Sequence, residues 1–301
     1  MKDLQELPKL RDSISYIYLE HAIIEQDDQS IVAIRKDGRI PIPVAATTCL
    51  LLGPGTSITH AAIRTIGENG CMVIWCGEKA TRFYASGMGE TRSSKNLLLQ
   101  AQCCMDEEKH MRVVRKMYAL RFPGIDTSGM TLQQVRGMEG IRVRKTYELF
   151  GKTTGVKWKK RTYKTESWEA SDTINRALSE ANAMLYGVCH AAIVSMGFSP
   201  GLGFIHTGKQ LSFVYDIADL YKTETTIPAA FEAVAKGGDV HKELRSLCRK
   251  YFGTARLMER IPRDLAELFD GMEGGVNALS AGALWSEDGE LEGGKNYGGG
   301  G

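Results

Sequence analysis

Three places in this 301-residue chain hold polar side chains that a packed core would not request. The first is residues 136–145 (RGMEGIRVRK), where Glu139 lies among four cations and Gly137 and Gly140 interrupt a helical pattern. A glycine inside a helix costs about 1 kcal/mol relative to alanine, so this spacing predicts close backbone approach there. A carboxylate satisfied by arginines of its own helix is the plainer alternative. The second place is residues 201–209 (GLGFIHTGK), where His206 ends a short apolar run and enters a glycine-punctuated loop. Loops of that kind display functional side chains, although a lone histidine is more often structural. The third is residues 212–220 (SFVYDIADL), where Ser212 is predicted to N-cap a helix whose apolar face is Phe213, Ile217, Leu220 and Tyr221. Asp216 and Asp219, at i and i+3, are predicted to project on one side and to repel unless they reach water, a cation or a metal.

Glu139, His206 and an aspartate together offer one imidazole and several carboxylate oxygens. That set suits Mg²⁺ or Mn²⁺ better than a thiolate zinc site. No P-loop, GxSxG, HExxH or Rossmann pattern competes with it, and Gly53-Pro54-Gly55 reads only as a turn. The charge pattern points the same way. The whole chain carries a net +2, yet residues 91–170 hold 17 basic against 8 acidic side chains, while 264–301 hold 1 against 8. A basic middle in a near-neutral protein predicts a polyanion surface, against the blander reading of a solvated helix face. Cations that hold phosphates, with a metal offsetting the acids, are natural to metal-assisted phosphodiester chemistry.

These residues need elements to position them. Hydrophobic residues at 43% and charged residues at 25% exclude a disordered, collagen-like or fibrous chain. Residues 181–205 lack formal charge but are interrupted by Gly187, Gly197, Pro200, Gly201 and Gly203, so a buried helix and loop are expected, not a membrane span. The first residues, MKDLQELPKL, carry no apolar signal region, and seven cysteines without a CxxC pair read as reduced thiols, so a cytoplasmic location is expected. The fold class predicted is α+β. A β-rich, sandwich-like domain spans 1–88, with strands over 13–19, 22–25, 30–34, 40–44, 49–52, 71–76 and 81–86 and a helix over 59–69. After a linker at 89–93 the period changes from 2 to 3.6, and 94–270 reads as an all-α catalytic domain. Its helices are expected over 94–121, 131–151, 172–196, 212–222, 227–235, 242–252 and 262–269. Residues 271–301, with 11 glycines, are expected to be a flexible acidic tail.

The order of these motifs resembles the CRISPR-associated adaptation integrase, the catalytic Cas subunit of spacer acquisition, in its type I-E form. The resemblance covers nearly all of residues 10–265. It is strongest at GPGTSITHAAIR (53–64), RGMEGIRVRKTYELF (136–150), DTINRALSEANAMLYGV (172–188) and GFIHTGKQLSFVYDIADL (203–220). It implies that Glu139, His206 and Asp219 are ligands of Mg²⁺ or Mn²⁺, with Asp216 the neighbouring catalytic acid. Lys209, Arg136, Tyr186, Tyr163 and Trp168 fall on residues lining the DNA channel, and Arg64 and Arg82 on arginines that grip duplex backbone. His21 stands where type I-E members have an aromatic bracing the duplex end, and Ser57 where they have an arginine, which puts end handling in doubt. The partners implied are duplex DNA with single-stranded ends, CRISPR repeat DNA, a second copy in a homodimer, and a small companion Cas dimer bridging two integrase dimers. The activity implied is insertion of short foreign DNA by 3′-hydroxyl attack on the repeat backbone. A stand-alone structure-specific nuclease and a non-catalytic DNA-binding scaffold are the alternatives.

Overall fold

A computed structural model describes residues 16–47, 49–78, 82–87, 94–158, 173–272, 284–286 and 289–291. The strand-rich half runs β1 (Tyr16–Leu19), β2 (Ile23–Asp27), β3 (Ser30–Arg35), β4 (Gly38–Ile42), β5 (Cys49–Leu52), β6 (Ser57–Ile58), α1 (His60–Glu68), β7 (Met72–Cys76) and β8 (Phe83–Gly87). These strands form two four-stranded sheets, ordered β4-β3-β2-β6 and β1-β5-β7-β8. The β2–β3–β4 meander is antiparallel, as its turn residues predict. The second sheet is not a simple meander, because β1, β5 and β7 pair in parallel. β5 explains why: all four of its residues (CLLL) are buried, the mark of a strand covered on both faces. One face shares a core with the first sheet and α1 through Leu19, Ile24, Ile31, Leu50, Leu52 and Ile66. The other, carrying Leu51, Met72, Ile74 and Cys76, packs against Ala191 of the helical half.

The helical half runs α2 (Lys95–Met105), α3 (Glu107–Arg121), α4 (Leu132–Thr154), α5 (Thr173–Ser195), α6 (Ser212–Ala218), α7 (Thr226–Lys236), α8 (Val240–Thr254) and α9 (Leu257–Phe269). The single helix expected over 94–121 is broken at Asp106. Asp106 takes an extended conformation and accepts a hydrogen bond from the Lys109 amide, capping α3, whose first turn begins with Glu107 and Glu108. α5 is the axis of this half, with 15 of its 23 residues buried. α4 is its opposite: it is equally long, yet only Val135 is buried. Such a helix presents most of its surface outward. Within the stretch expected to be a flexible tail, β9 (Leu284–Ser286) pairs antiparallel with β10 (Gly289–Leu291). No helix among the described residues is long and apolar enough to cross a membrane.

Candidate active site

The site is built around a loop that one buried carboxylate organises. Residues 198–211 leave α5 and return to α6 so tightly that a β-carbon at Gly203 would lie 2.2 Å from the His206 carbonyl oxygen and 2.7 Å from Ser212 Cβ. Only glycine fits there. Asp216, fully buried on α6, fills the centre. Its Oδ2 accepts the Phe204 and Ile205 amides at 2.6 and 3.0 Å. Its Oδ1 accepts the His206 amide at 2.8 Å and the ring Nδ1–H of His206 at 2.7 Å. The loop is anchored from behind by the buried Gln100 of α2. Its amide donates to the Ser199 and Leu202 carbonyls at 3.0 and 2.9 Å and accepts from the Ser199 amide at 2.7 Å.

The consequence falls on His206. A carboxylate only accepts, so Nδ1 carries the proton and Nε2 keeps a free lone pair on a ring whose side chain is 45% exposed. The hydrogen bond to Asp216 raises the His206 pKa above its ordinary value, against partial burial, with help from Asp219. A carboxylate–histidine pair of this kind fixes the ring and raises its basicity as a ligand.

The structure corrects two expectations here and sharpens a third. Asp216 accepts from the loop amides, while Asp219, which continues the helical backbone just past α6, pairs with Lys222 Nζ through Oδ1 at 2.5 Å, and both carboxylates act on His206. Ser212 is not the N-cap; it is the first helical residue, preceded by Leu211, and its hydroxyl accepts the Lys209 amide at 3.0 Å. Gly137 and Gly140 of α4 face open space, since a β-carbon at either would meet nothing within 4 Å among the described residues. No described part of this chain approaches that backbone.

Glu139 is held by its own helix and one other. Arg142, one turn along α4, grips it as a fork, with Nε to Oε2 at 3.0 Å and Nη2 to Oε1 at 3.1 Å. Arg121, at the end of α3, places Nη1 3.6 Å from Oε1. The Arg121 side chain is 4% exposed, and its Nε and Nη2 are buried without a hydrogen-bond partner among the described residues. Arg142 also donates from Nη1 to Thr223 Oγ1 at 3.1 Å, which ties α4 to the segment carrying Asp219 and Lys222. Lys222 lies 5.0 Å from the centre of the Tyr186 ring, and that ring meets Tyr215 edge-on at 5.0 Å. Burial would lower the Lys222 pKa, but Asp219 and Tyr186 hold it above the ordinary lysine value.

Glu139, His206, Asp219, Asp216 and Tyr186 thus belong to one connected corner. Among the described residues no three of His, Cys, Asp and Glu gather closely enough to hold a metal ion. The donor chemistry nevertheless fits a hard divalent cation: two carboxylates, and one imidazole nitrogen freed by an outer carboxylate. Both carboxylates are engaged by cations instead. Arg136 and Lys209 are exposed beside this corner in sequence, on α4 and on the histidine loop. Arg64, on α1, is 60% exposed and 3.8 Å from Glu68, and Arg82 is exposed just before β8. His21 is exposed with φ +52°; its amide donates to the Pro54 carbonyl at 3.0 Å, and a β-carbon at Gly55 would lie 2.5 Å from its ring. Tyr163 and Trp168 lie outside the described residues. Gln100, Arg121, Arg142 and Lys222 were not singled out by sequence reasoning. Of these Arg142, at i+3 from Glu139, and Lys222, at i+3 from Asp219, left a local signal.

Residues 15–128 and 125–243 match the family model for CRISPR associated protein Cas1. The chain is 48% identical over 306 residues to CRISPR-associated endonuclease Cas1 2 of Thermus thermophilus, covering 99% of this chain and 94% of that protein. It is 43% identical over 254 residues to CRISPR-associated endonuclease Cas1 of Escherichia coli K12, covering 84% and 83%. A crystal structure of a TtCas1–DNA complex is similar at a TM-score of 0.82 and 50% identity, over 88% of this chain and 100% of that one.

Proposed function

Because this chain belongs to the Cas1 family of CRISPR-associated proteins, we propose that it is a divalent-metal-dependent DNA integrase and endonuclease of the type I-E form, inserting short foreign DNA into a CRISPR array. Glu139, His206 and Asp219 are the residues that would hold Mg²⁺ or Mn²⁺. Asp216 is a positioning residue, acting through His206. A bound divalent ion supplies Lewis acidity at the scissile phosphate and a lower pKa for the attacking hydroxyl. The observation that carries the reading is the Asp216–His206 pair, which spends a buried carboxylate and three backbone amides on aiming one imidazole nitrogen outward.

In the reaction a 3′-hydroxyl of the captured DNA forms a new P–O bond at the repeat edge and gives up its proton. The repeat's own 3′-oxygen leaves that phosphorus and takes one. Water in place of the hydroxyl gives endonuclease cleavage. Arg136 and Lys209 line the DNA channel with Tyr186, Tyr163 and Trp168. Arg64 and Arg82 grip duplex phosphates away from the chemistry, and His21 abuts the duplex end. The partners proposed are duplex DNA with single-stranded ends, repeat DNA, a second copy of this chain, and a small companion Cas dimer that bridges two such pairs in the cytoplasm.

The test is strand transfer into a supercoiled repeat plasmid with the companion present. Insertion is expected with Mg²⁺ or Mn²⁺ and not with chelator, and Glu139→Ala, His206→Ala and Asp219→Ala should each abolish it. Insertion retained by all three overturns the site. Cutting without strand transfer reduces the reading to a nuclease.

A further inference from the structure

The two carboxylates proposed as ligands are already neutralised, and by cations of different kinds. Glu139 gives both oxygens to the Arg142 fork, so a divalent ion approaching either oxygen competes with a charge-assisted hydrogen bond already there. Arg121 has no such freedom: it is sealed at 4% exposure behind Oε1 and makes no hydrogen bond to it. Arg142 has somewhere to go. Its side chain is 27% exposed, its guanidinium rests 5.6 Å from the centre of the Phe122 ring, and its Nη1 holds Thr223 independently of Glu139. Lys222 stands toward Asp219 as Arg142 stands toward Glu139.

We propose that Arg142 is a positioning residue that exchanges with the divalent ion on Glu139. The fork holds the carboxylate in place and in charge balance until the ion arrives. It then releases Glu139 while Thr223 and the Phe122 face keep the guanidinium at the rim. Arg121 remains beneath Glu139 as a fixed charge throughout. The inference rests on the metal reading above and adds to it a competitor, so that ion affinity is set by how firmly the fork closes.

Calorimetric titration of Mn²⁺ into the full-length protein separates the two. Glu139→Gln removes the ligand, and binding should be lost. Parent-like Mn²⁺ binding by that variant overturns the metal reading and the exchange with it. Arg142→Lys keeps the charge but cannot present two parallel N–H groups to one carboxylate. The exchange therefore predicts that it binds Mn²⁺ about 5- to 10-fold tighter than the parent at unchanged net charge. If Glu139→Gln loses the ion and folded Arg142→Lys binds no tighter than the parent, the exchange alone is overturned. Should Arg142→Lys fail to fold by circular dichroism, Thr223→Val decides. It removes the anchor to which Arg142 retreats, so weaker Mn²⁺ binding supports the exchange, and unchanged affinity overturns it.

Discussion

Two histidines sixteen residues apart show how differently one chain uses the same side chain. His190 lies on α5 at the junction between the halves, its ring stacked on Phe83 of β8 with centroids 3.6 Å apart and planes at 22°. Burial pushes its pKa down to about 4. His206 has its Nδ1 on a buried carboxylate, and its pKa moves the other way. The surroundings repeat the contrast. The junction is apolar, with Leu51, Met72, Ile74 and Cys76 against Ala191, and its ion pairs, Glu78 with Arg245 and Arg249, are loose at 3.8 and 4.0 Å. The corner around His206 is set by short polar contacts, Asp216 with His206, Asp219 with Lys222 and Glu139 with Arg142. A cavity of about 460 Å³ opens at the junction between Leu51, Arg249, Phe252 and Met258 and shares no residue with that corner. Volume marks where two halves meet imperfectly; polar order marks where chemistry is set up.

The largest effect that could break this contrast is at Asp216. Asp216→Ala removes the acceptor of three amides and one ring N–H in a buried loop, leaving donors without partners. The expected cost is about 3 kcal/mol or more in denaturant unfolding, because each stranded donor loses its solvation without return. Metal-dependent cleavage should fall with it. His206→Ala should behave in the opposite sense, with stability within about 0.5 kcal/mol of the parent and activity lost beyond the roughly 10- to 100-fold typical of an outer-shell change. If both variants lost stability equally, His206 would be a structural histidine like His190.

How much of this was legible in the residues follows from the range of the interactions. The presence of most helices and of the β2–β3–β4 meander depends on neighbours a few residues away and is predicted from the sequence, whereas the break at Asp106 and the start of α9 at Leu257, ahead of the expected 262, are not. The parallel β1–β5–β7 pairing was not legible, because a run such as CLLL is equally apolar in a meander and in a buried parallel strand. At the site, His206 and the two aspartates stood out by type and spacing. Their division of partners did not, since the loop amides that Asp216 accepts lie 10 to 12 residues before it in the chain and spacing alone does not reveal them. Gln100 and Arg121 reach the site from about 100 and 18 residues away along the chain, and a single sequence carries no trace of that contact.

A smaller effect tests the junction side of the contrast. His190→Phe keeps the stack on Phe83 and removes the titration. A histidine whose folded pKa lies below its unfolded value stays neutral in the fold while the unfolded chain takes up a proton. The parent should therefore lose stability relative to the variant as pH falls from about 6.5 toward 4, and not above that range. Allowing for the part of the ring that meets solvent, the difference should reach roughly 1–2 kcal/mol at the acid end. Denaturant unfolding of both proteins at pH 7.5 and pH 5 measures it. Parallel pH profiles would mean that the junction tolerates a charged imidazole and is wetter than its stacking implies.

The smallest effect separates holding DNA from acting on it. Arg64 lies on α1 in the strand-rich half, 60% exposed, with only an i,i+4 contact to Glu68 at 3.8 Å. Such a pair is worth about 0.3–0.5 kcal/mol, so Arg64→Gln should leave folding nearly unchanged. If Arg64 meets a duplex phosphate, losing it releases one fewer counterion on binding, and the slope of log K against log salt should flatten by about one. The loss should be the same for every duplex sequence, because a phosphate contact carries no base information. Mn²⁺ binding at the Glu139–His206–Asp219 corner should be unaffected, since no hydrogen bond or ion pair among the described residues joins Arg64 to it. Fluorescence anisotropy of a labelled duplex from 50 to 300 mM salt (roughly the range where phosphate contacts dominate) gives the slope. A parent-like slope would return Arg64 to the solvated helix face and leave duplex binding to the basic surface of α3 and α4.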